Sequence, residues 1–229
     1  VMEEAGGEVP VMAGTGTNAT ASTVSITSEI SRMGVDAVLL ITPYYNKPTH
    51  RGQVEHFAAA ADASACPAYL YNVPGRTGRA IEARTVAELS QHPNIQGIKD
   101  AQGSVERVTE LRSLCGRGFD ILSGDDPLAM AQVALGAQGV VSVVSNIAPA
   151  EMSRLIGFTD DGKLEEARAL QALLLPVIRA MFLQTNPMPV KKALWMKGMM
   201  ADELRLPLVS MREDLEPQLR KTLQRAGLL

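Results

Sequence analysis

Cysteine is scarce in this chain. Cys66 and Cys115 are the only two among 229 residues; they show no metal-ligand spacing and make no disulfide framework. A reducing, cytoplasmic setting is therefore expected. Histidine is equally sparse: His50, His56 and His92 are scattered, read as plain surface residues, and suggest no metal site. No apolar run approaches the roughly 18 residues of a membrane-spanning helix. Basic clusters are missing too, since 22 Lys and Arg face 25 Asp and Glu for a net charge of -3. That balance offers no patch for nucleic acid and no polybasic run for an anionic membrane surface. No G-x-G-x-x-G opens a helix, and G-T-G-T-N from Gly14 is too short a match to announce a dinucleotide site.

What is present is a repeat of strand, loop and helix. Val9–Gly16 precedes a helix with Ile26, Ile30 and Met33 on one face. Asp36–Pro43 precedes one with Val54, Phe57, Ala58 and Ala61, and Pro67–Pro74 precedes Val86 and Leu89. Strand candidates continue at Ile95–Ala101, Asp120–Asp126 and Gly139–Asn146, each followed by a helical pattern. These strands are near-continuous apolar runs, as strands covered on both faces must be. The alternation predicts parallel βαβ units. An open doubly wound sheet and a closed barrel both fit it. Glycines and polar residues fall at the carboxyl end of strand after strand, and in a (β/α)8 barrel that face carries the chemistry. A TIM barrel is therefore the expected fold, within residues 1–160. About six strands are visible where a closed barrel has eight. The chain also opens on V-M-E-E-A-G-G, which reads as the last turn of a helix ending at a Gly-Gly stop. Together these predict a barrel lacking about its first two βα units. Residues 161–229 read as a C-terminal helical extension: an amphipathic run from Asp161 to Leu183 with Pro176 expected to kink it, a helix containing Trp195, and a last helix into the terminus.

Lys99 stands at the end of I-Q-G-I-K-D-A. Its stem can pack while the ammonium reaches water. Alternatively, an apolar setting lowers its pKa and makes it a nucleophile toward carbonyls. Tyr71 and Asn72 end the third strand, and Arg76 follows in Y-N-V-P-G-R-T-G. A phenol at that mouth can pass protons, and a guanidinium fork suits a carboxylate; the plain alternatives are a strand aromatic and a solvated loop charge. Tyr44 and Tyr45 are adjacent on the next loop upstream, so only one of them can line a given pocket. In S-G-D-D-P-L, Asp126 before Pro127 reads as an N-cap, and Gly124 suits a close approach of backbone to a ligand.

With these residues in view, the chain resembles the dihydrodipicolinate synthase family of pyruvate-dependent class I aldolases. The motifs A-G-T-G-T-N, T-P-Y-Y-N-K-P, Y-N-V-P-G-R-T-G, G-I-K-D-A, L-S-G-D-D, G-V-V-S-V, N-P-M-P-V-K and L-R-L-P carry the likeness over essentially the whole length. The resemblance implies that Lys99 forms an imine with pyruvate, with no cofactor, and that the enamine adds to aspartate semialdehyde in lysine and diaminopimelate synthesis. It implies Tyr71 as proton relay, Arg76 on the semialdehyde carboxylate, Val141 and Gly124 around the pyruvate, and Asn72 among the substrate-binding groups. It implies Tyr45 reaching into the site of a second copy, hence a dimer or tetramer. The family's G-T-T-G-E-S segment is absent from the 229 residues, and Ser22 stands where lysine-inhibited members carry an acid, which points to lysine insensitivity. Two other readings accompany this one: an aldolase acting on a sugar acid or N-acetylneuraminate, which Arg76 argues against, and a truncated, non-catalytic homologue.

Overall fold

The computed structural model describes residues 1–5 and 7–229. Among them the chain forms one parallel sheet of six strands, β1 (Met12–Gly14), β2 (Ala37–Ile41), β3 (Ala68–Asn72), β4 (Ile95–Asp100), β5 (Asp120–Ser123) and β6 (Gly139–Val140), arranged in sequence order. The helices are α1 (Met2–Ala5), α2 (Thr20–Ser31), α3 (His50–Asp62), α4 (Pro74–Thr77), α5 (Ala83–Leu89), α6 (Glu106–Cys115), α7 (Ala129–Ala134), α8 (Pro149–Asp160), α9 (Leu164–Ala180), α10 (Met188–Met196) and α11 (Glu216–Arg225). The βαβ alternation predicted from the apolar runs is thus present. Of the expected Gly-Gly stop, Gly7 takes a left-handed φ of 78° and Gly6 lies outside the described residues. The described residues fall into two compact units, one of 1–124 and 135–139, the other of 125–134 and 140–229.

In the first unit Val38, Leu40, Leu70, Ile98 and Ile121 are buried, together with Phe57, Ala61, Val86 and Leu111 from the helices. Each of the larger of these side chains contributes about 1.5–3 kcal/mol by leaving water, which is why the apolar runs settle as strands roofed by helices. The register between β3 and β4 contains an irregularity: Ala68 pairs with Ile95 but Tyr69 pairs with Gly97, so Gln96 is the extra residue of a bulge. Beyond it Tyr71 pairs with Lys99 and Asn72 with Asp100.

Four expectations are corrected. Helix α2 does not bury Ile26 and Met33, which are exposed; it buries Thr23, Thr27 and Ser31. The loop before it supplies the reason. Thr27 shares a hydrogen bond with Thr15 (2.8 Å), Thr23 accepts the Thr17 N–H (2.9 Å) and Ser31 accepts that of Ala65 (3.0 Å), so a small polar face packs without unsatisfied hydroxyls. The sixth strand ends at Val140 rather than running to Asn146. Residues Val144–Asn146 turn as a 3₁₀ helix, because the Asp126 carboxylate accepts the N–H groups of Val143 and Val144 at 3.0 Å each. Asp126 therefore caps this turn rather than its own. The histidines are not plain surface residues either. His56 is buried, with Nδ1 on the Thr20 hydroxyl (3.0 Å), and burial lowers its pKa. His50 meets Thr85 and Glu88, and His92 meets Asp62.

The second unit is helical, with Leu155, Leu174, Val177, Ile178, Met181, Leu219 and Leu223 in one apolar cluster. Helix α9 continues through Pro176, which lies exposed. Lys192 is buried, bonded to Asp202 and Glu216, with its ammonium 4.4 Å from the Trp195 ring centre.

Candidate functional site

The carboxyl ends of β2 to β5 bring several of the singled-out residues together. Tyr71 and Lys99 are register partners on adjacent strands, so their side chains share one face. The Lys99 ammonium lies 3.9 Å from the centre of the Tyr71 ring, a cation–π contact. The strand that carries Tyr71 is held from the other side by Thr42, whose N–H and hydroxyl both donate to the Tyr71 carbonyl, at 3.0 and 2.9 Å. Burial pushes the Tyr71 phenol above its usual pKa, and the positive charge of Arg76 pulls against that rise. Arg76 is thus close enough to act on the phenol. It sits in the single turn α4, which starts at Pro74 and stops at Gly78, a residue at φ 71°.

Gly124 is placed by the same geometry. A Cβ at this position would stand 2.7 Å from the Ala101 Cβ and 3.2 Å from Lys99 Cε, closer than side chains pack. The stem of Lys99 passes over this glycine because there is nothing there to displace it.

Tyr45 is 89% exposed on the loop after β2 and holds a φ of 71°, an uncommon conformation for a residue with a side chain. Val141 directly follows β6 in the second unit and is partly exposed. Asn72 was grouped with the substrate-binding residues, and its placement corrects that. It is fully buried on the side of β3 away from Tyr71, and its amide bonds Asp100, Gln102 and the Ile81 N–H. Neighbouring residues of a strand face opposite sides, so Tyr71 and Asn72 cannot both look into one mouth.

Sequence inspection also passed over Asp100, Arg107, Tyr69 and Asp120. Arg107 lies one helical turn before Leu111 on the buried face of α6, and a charge on an apolar helix face was the available signal. One layer below Tyr71 and Lys99, Tyr69 donates to Asp120 at 2.6 Å. Burial first, and then that hydrogen bond and the carboxylate's charge, push the Tyr69 phenol up to about 12. Gly97 lies between them, where a Cβ would stand 2.6 Å from both the Tyr69 ring and the Asp120 carbonyl.

Among the described residues, no three His, Cys, Asp or Glu side chains are grouped to hold a metal ion, and no helix is long and apolar enough to cross a membrane. A cavity of about 520 Å³ in the second unit, lined by Pro187, Lys191, Glu203, Leu204, Arg205 and Leu208 among others, contains none of the singled-out residues.

A parallel α/β sheet that gathers a lysine, a tyrosine and an arginine at the carboxyl ends of its strands has the layout of an aldolase-type α/β enzyme. The chain belongs to the dihydrodipicolinate synthetase family, whose model matches residues 1–226. It is 44% identical over 229 residues to the 4-hydroxy-tetrahydrodipicolinate synthase of Pelobacter propionicus, covering 100% of this chain and 79% of that one. Among solved structures it is similar to the chloride-inhibited dihydrodipicolinate synthase of Acinetobacter baumannii complexed with pyruvate. That match has a TM-score of 0.97 and 39% identity, and covers 100% of this chain and 78% of the other. A monomeric dihydrodipicolinate synthase variant matches with a TM-score of 0.97 and 38% identity, over 100% and 77% of the two chains.

Proposed function

We propose that this protein is a lyase of the 4-hydroxy-tetrahydrodipicolinate synthase type, joining pyruvate to aspartate semialdehyde through an imine on Lys99. The family and the activity named for its relatives support the reaction. The contact between the Lys99 ammonium and the Tyr71 ring is the observation that carries the assignment of the nucleophile. Once deprotonated, the Lys99 amine attacks the keto carbon of pyruvate and water leaves, giving the imine. Loss of a methyl proton makes the enamine, whose methylene carbon forms the new C–C bond to the aldehyde, leaving a hydroxyl. The amino group of the semialdehyde then attacks the imine carbon, closes the ring and returns Lys99 as the free amine.

Tyr71 is suited to carry the protons. Burial holds the phenol above its usual pKa, which favours its protonated, donating form. Arg76, close to that phenol, is suited to a substrate carboxylate. Gly124 gives the imine stem its path, and Val141 is assigned to the pyruvate pocket by family likeness alone. Tyr45 is assigned to the site of a second copy, in a dimer or tetramer; its exposure and its φ favour a partner outside its own chain. The six strands are read as six of the eight of a (β/α)8 barrel, and residues 161–229 as a helical extension. No cofactor is needed, because the covalent imine supplies the electron sink.

Borohydride reduction in the presence of pyruvate, followed by peptide mapping, tests the assignment. A pyruvyl adduct on Lys99, lost in Lys99→Ala, is the expected outcome. A folded sample with no adduct on Lys99 sinks it.

A further inference from the structure

One set of buried side chains lies directly behind the reacting residues. Asn72, Asp100 and Arg107 are 0%, 2% and 5% exposed. Asn72 Nδ2 donates to Asp100 Oδ2 at 2.9 Å, and Arg107 Nε donates to the same oxygen at 3.4 Å. The other carboxylate oxygen, Oδ1, accepts the Gln102 N–H at 2.9 Å. Ile81 is held at both its backbone groups: its N–H donates to Asn72 Oδ1 (3.0 Å) and its carbonyl accepts from Arg107 Nη2 (2.6 Å). Buried charges persist only when paired and hydrogen-bonded; here Arg107 pairs with Asp100 and, at 3.0 Å, with Glu110, and the backbone of the loop takes its remaining bond.

The placement of this set in the chain gives it a role. Asn72 follows Tyr71 and Asp100 follows Lys99, one residue along each strand, so their bond clamps the two strand ends that carry the lysine and the tyrosine. Arg76 lies in the segment between Asn72 and Ile81, and both ends of that segment are tied to the same set. Since alternate residues of a strand face opposite sides, Asn72 and Asp100 point away from the face of Tyr71 and Lys99, and Arg107 reaches them from α6.

We infer that Asn72, Asp100 and Arg107 form a positioning network for the imine chemistry. It sets the approach of Lys99 to Tyr71 and anchors the loop that presents Arg76. The inference rests on the assignment of Lys99 given above. A displacement of about 1 Å at a reacting group can cost about a hundredfold in rate, so a network that merely shifts a strand end has a kinetic signature distinct from loss of stability.

Asp100→Asn is the direct test. Both carboxylate oxygens accept hydrogen bonds, and an amide can accept on only one side, so an N–H is forced against a donor. The rate of borohydride-trapped adduct formation at saturating pyruvate is expected to fall about tenfold or more, with the half-saturating pyruvate concentration little changed. Leu111→Ala serves as the comparison: it opens a cavity on the same helix and removes none of the network's hydrogen bonds, and it is expected to trap at the wild-type rate below its melting temperature. Wild-type trapping in Asp100→Asn, or equal slowing in Leu111→Ala, overturns the inference while leaving the function standing. If the wild-type chain itself forms no adduct on Lys99, the assignment of the nucleophile fails first. Should Asp100→Asn not fold, Arg107→Lys keeps the charge but loses the fork to the Ile81 carbonyl. It is expected to raise the half-saturating semialdehyde concentration about tenfold, and an unchanged value overturns the inference.

Discussion

Lys99 and Tyr69 occupy successive layers of the same inner face, and they illustrate how differently a residue's role can be read. A lysine ending an apolar strand is unusual enough to draw attention without coordinates, and Tyr71 and Arg76 announce themselves by their motif. Tyr69 lies in an equally apolar run, and nothing in its neighbours reveals that Asp120, 51 residues on, accepts its hydrogen bond. Its phenol has a folded-state pKa of about 12 against an ordinary value of about 10. The fold therefore favours the neutral form, and the stability this brings is complete below pH 10 and lost as pH rises toward 12. The urea midpoint is accordingly expected to fall between about pH 9.5 and about pH 12, and to fall less steeply in Tyr69→Phe. Equal slopes in the two proteins would refute the coupling. Asn72 shows the opposite failure: membership of a motif suggested contact with substrate, whereas the strand's alternation turns its amide into the wall.

Among the elements, β4 shows why strand prediction alone does not fix which way a side chain faces. Strict alternation from Ile95 would turn Lys99 toward the helices. The bulge at Gln96 shifts the phase by one residue and brings Lys99 onto the face of Tyr71. No local composition marks Gln96 as the extra residue. Helix α2 misled for a related reason, since hydrophobic spacing picked Ile26 and Met33 while threonine hydroxyls made the buried contacts. The end of β5 makes its own demand on β4. Gly124→Ala puts a methyl into Ala101 and the stem of Lys99. It is expected to lower the melting temperature, as overpacking by about 1–3 kcal/mol does, and to slow adduct formation on Lys99 as well. A normal trapping rate in this variant would mean that the stem takes another path.

Across the whole chain, the βαβ order was legible because both-face burial writes itself as apolar runs, and the helical character of the last seventy residues was legible from their amphipathic period. Self-association was legible only through family likeness, and it belongs to this scale because the role proposed for Tyr45 needs a second copy. Sedimentation is expected to show a species larger than one copy. Tyr45→Ala is expected to lower turnover while leaving the melting temperature of the separated chain unchanged. A fully active single copy would rule this role out.

The sheet's strands pair in the order in which they occur, with no strand inserted from elsewhere in the sequence. The lysine and tyrosine strands are joined by a clamp whose residues are 28 positions apart. For a chain emerging from a ribosome, each new strand thus finds its partner already in place, and little entropy is spent on closing long loops. Lys99, Tyr71 and the bonded set from Asn72 to Arg107 can assemble before any of the second unit's long helices has been synthesised. Vectorial synthesis would then bring the proposed lysine and tyrosine together early and add the helices of the second unit afterwards.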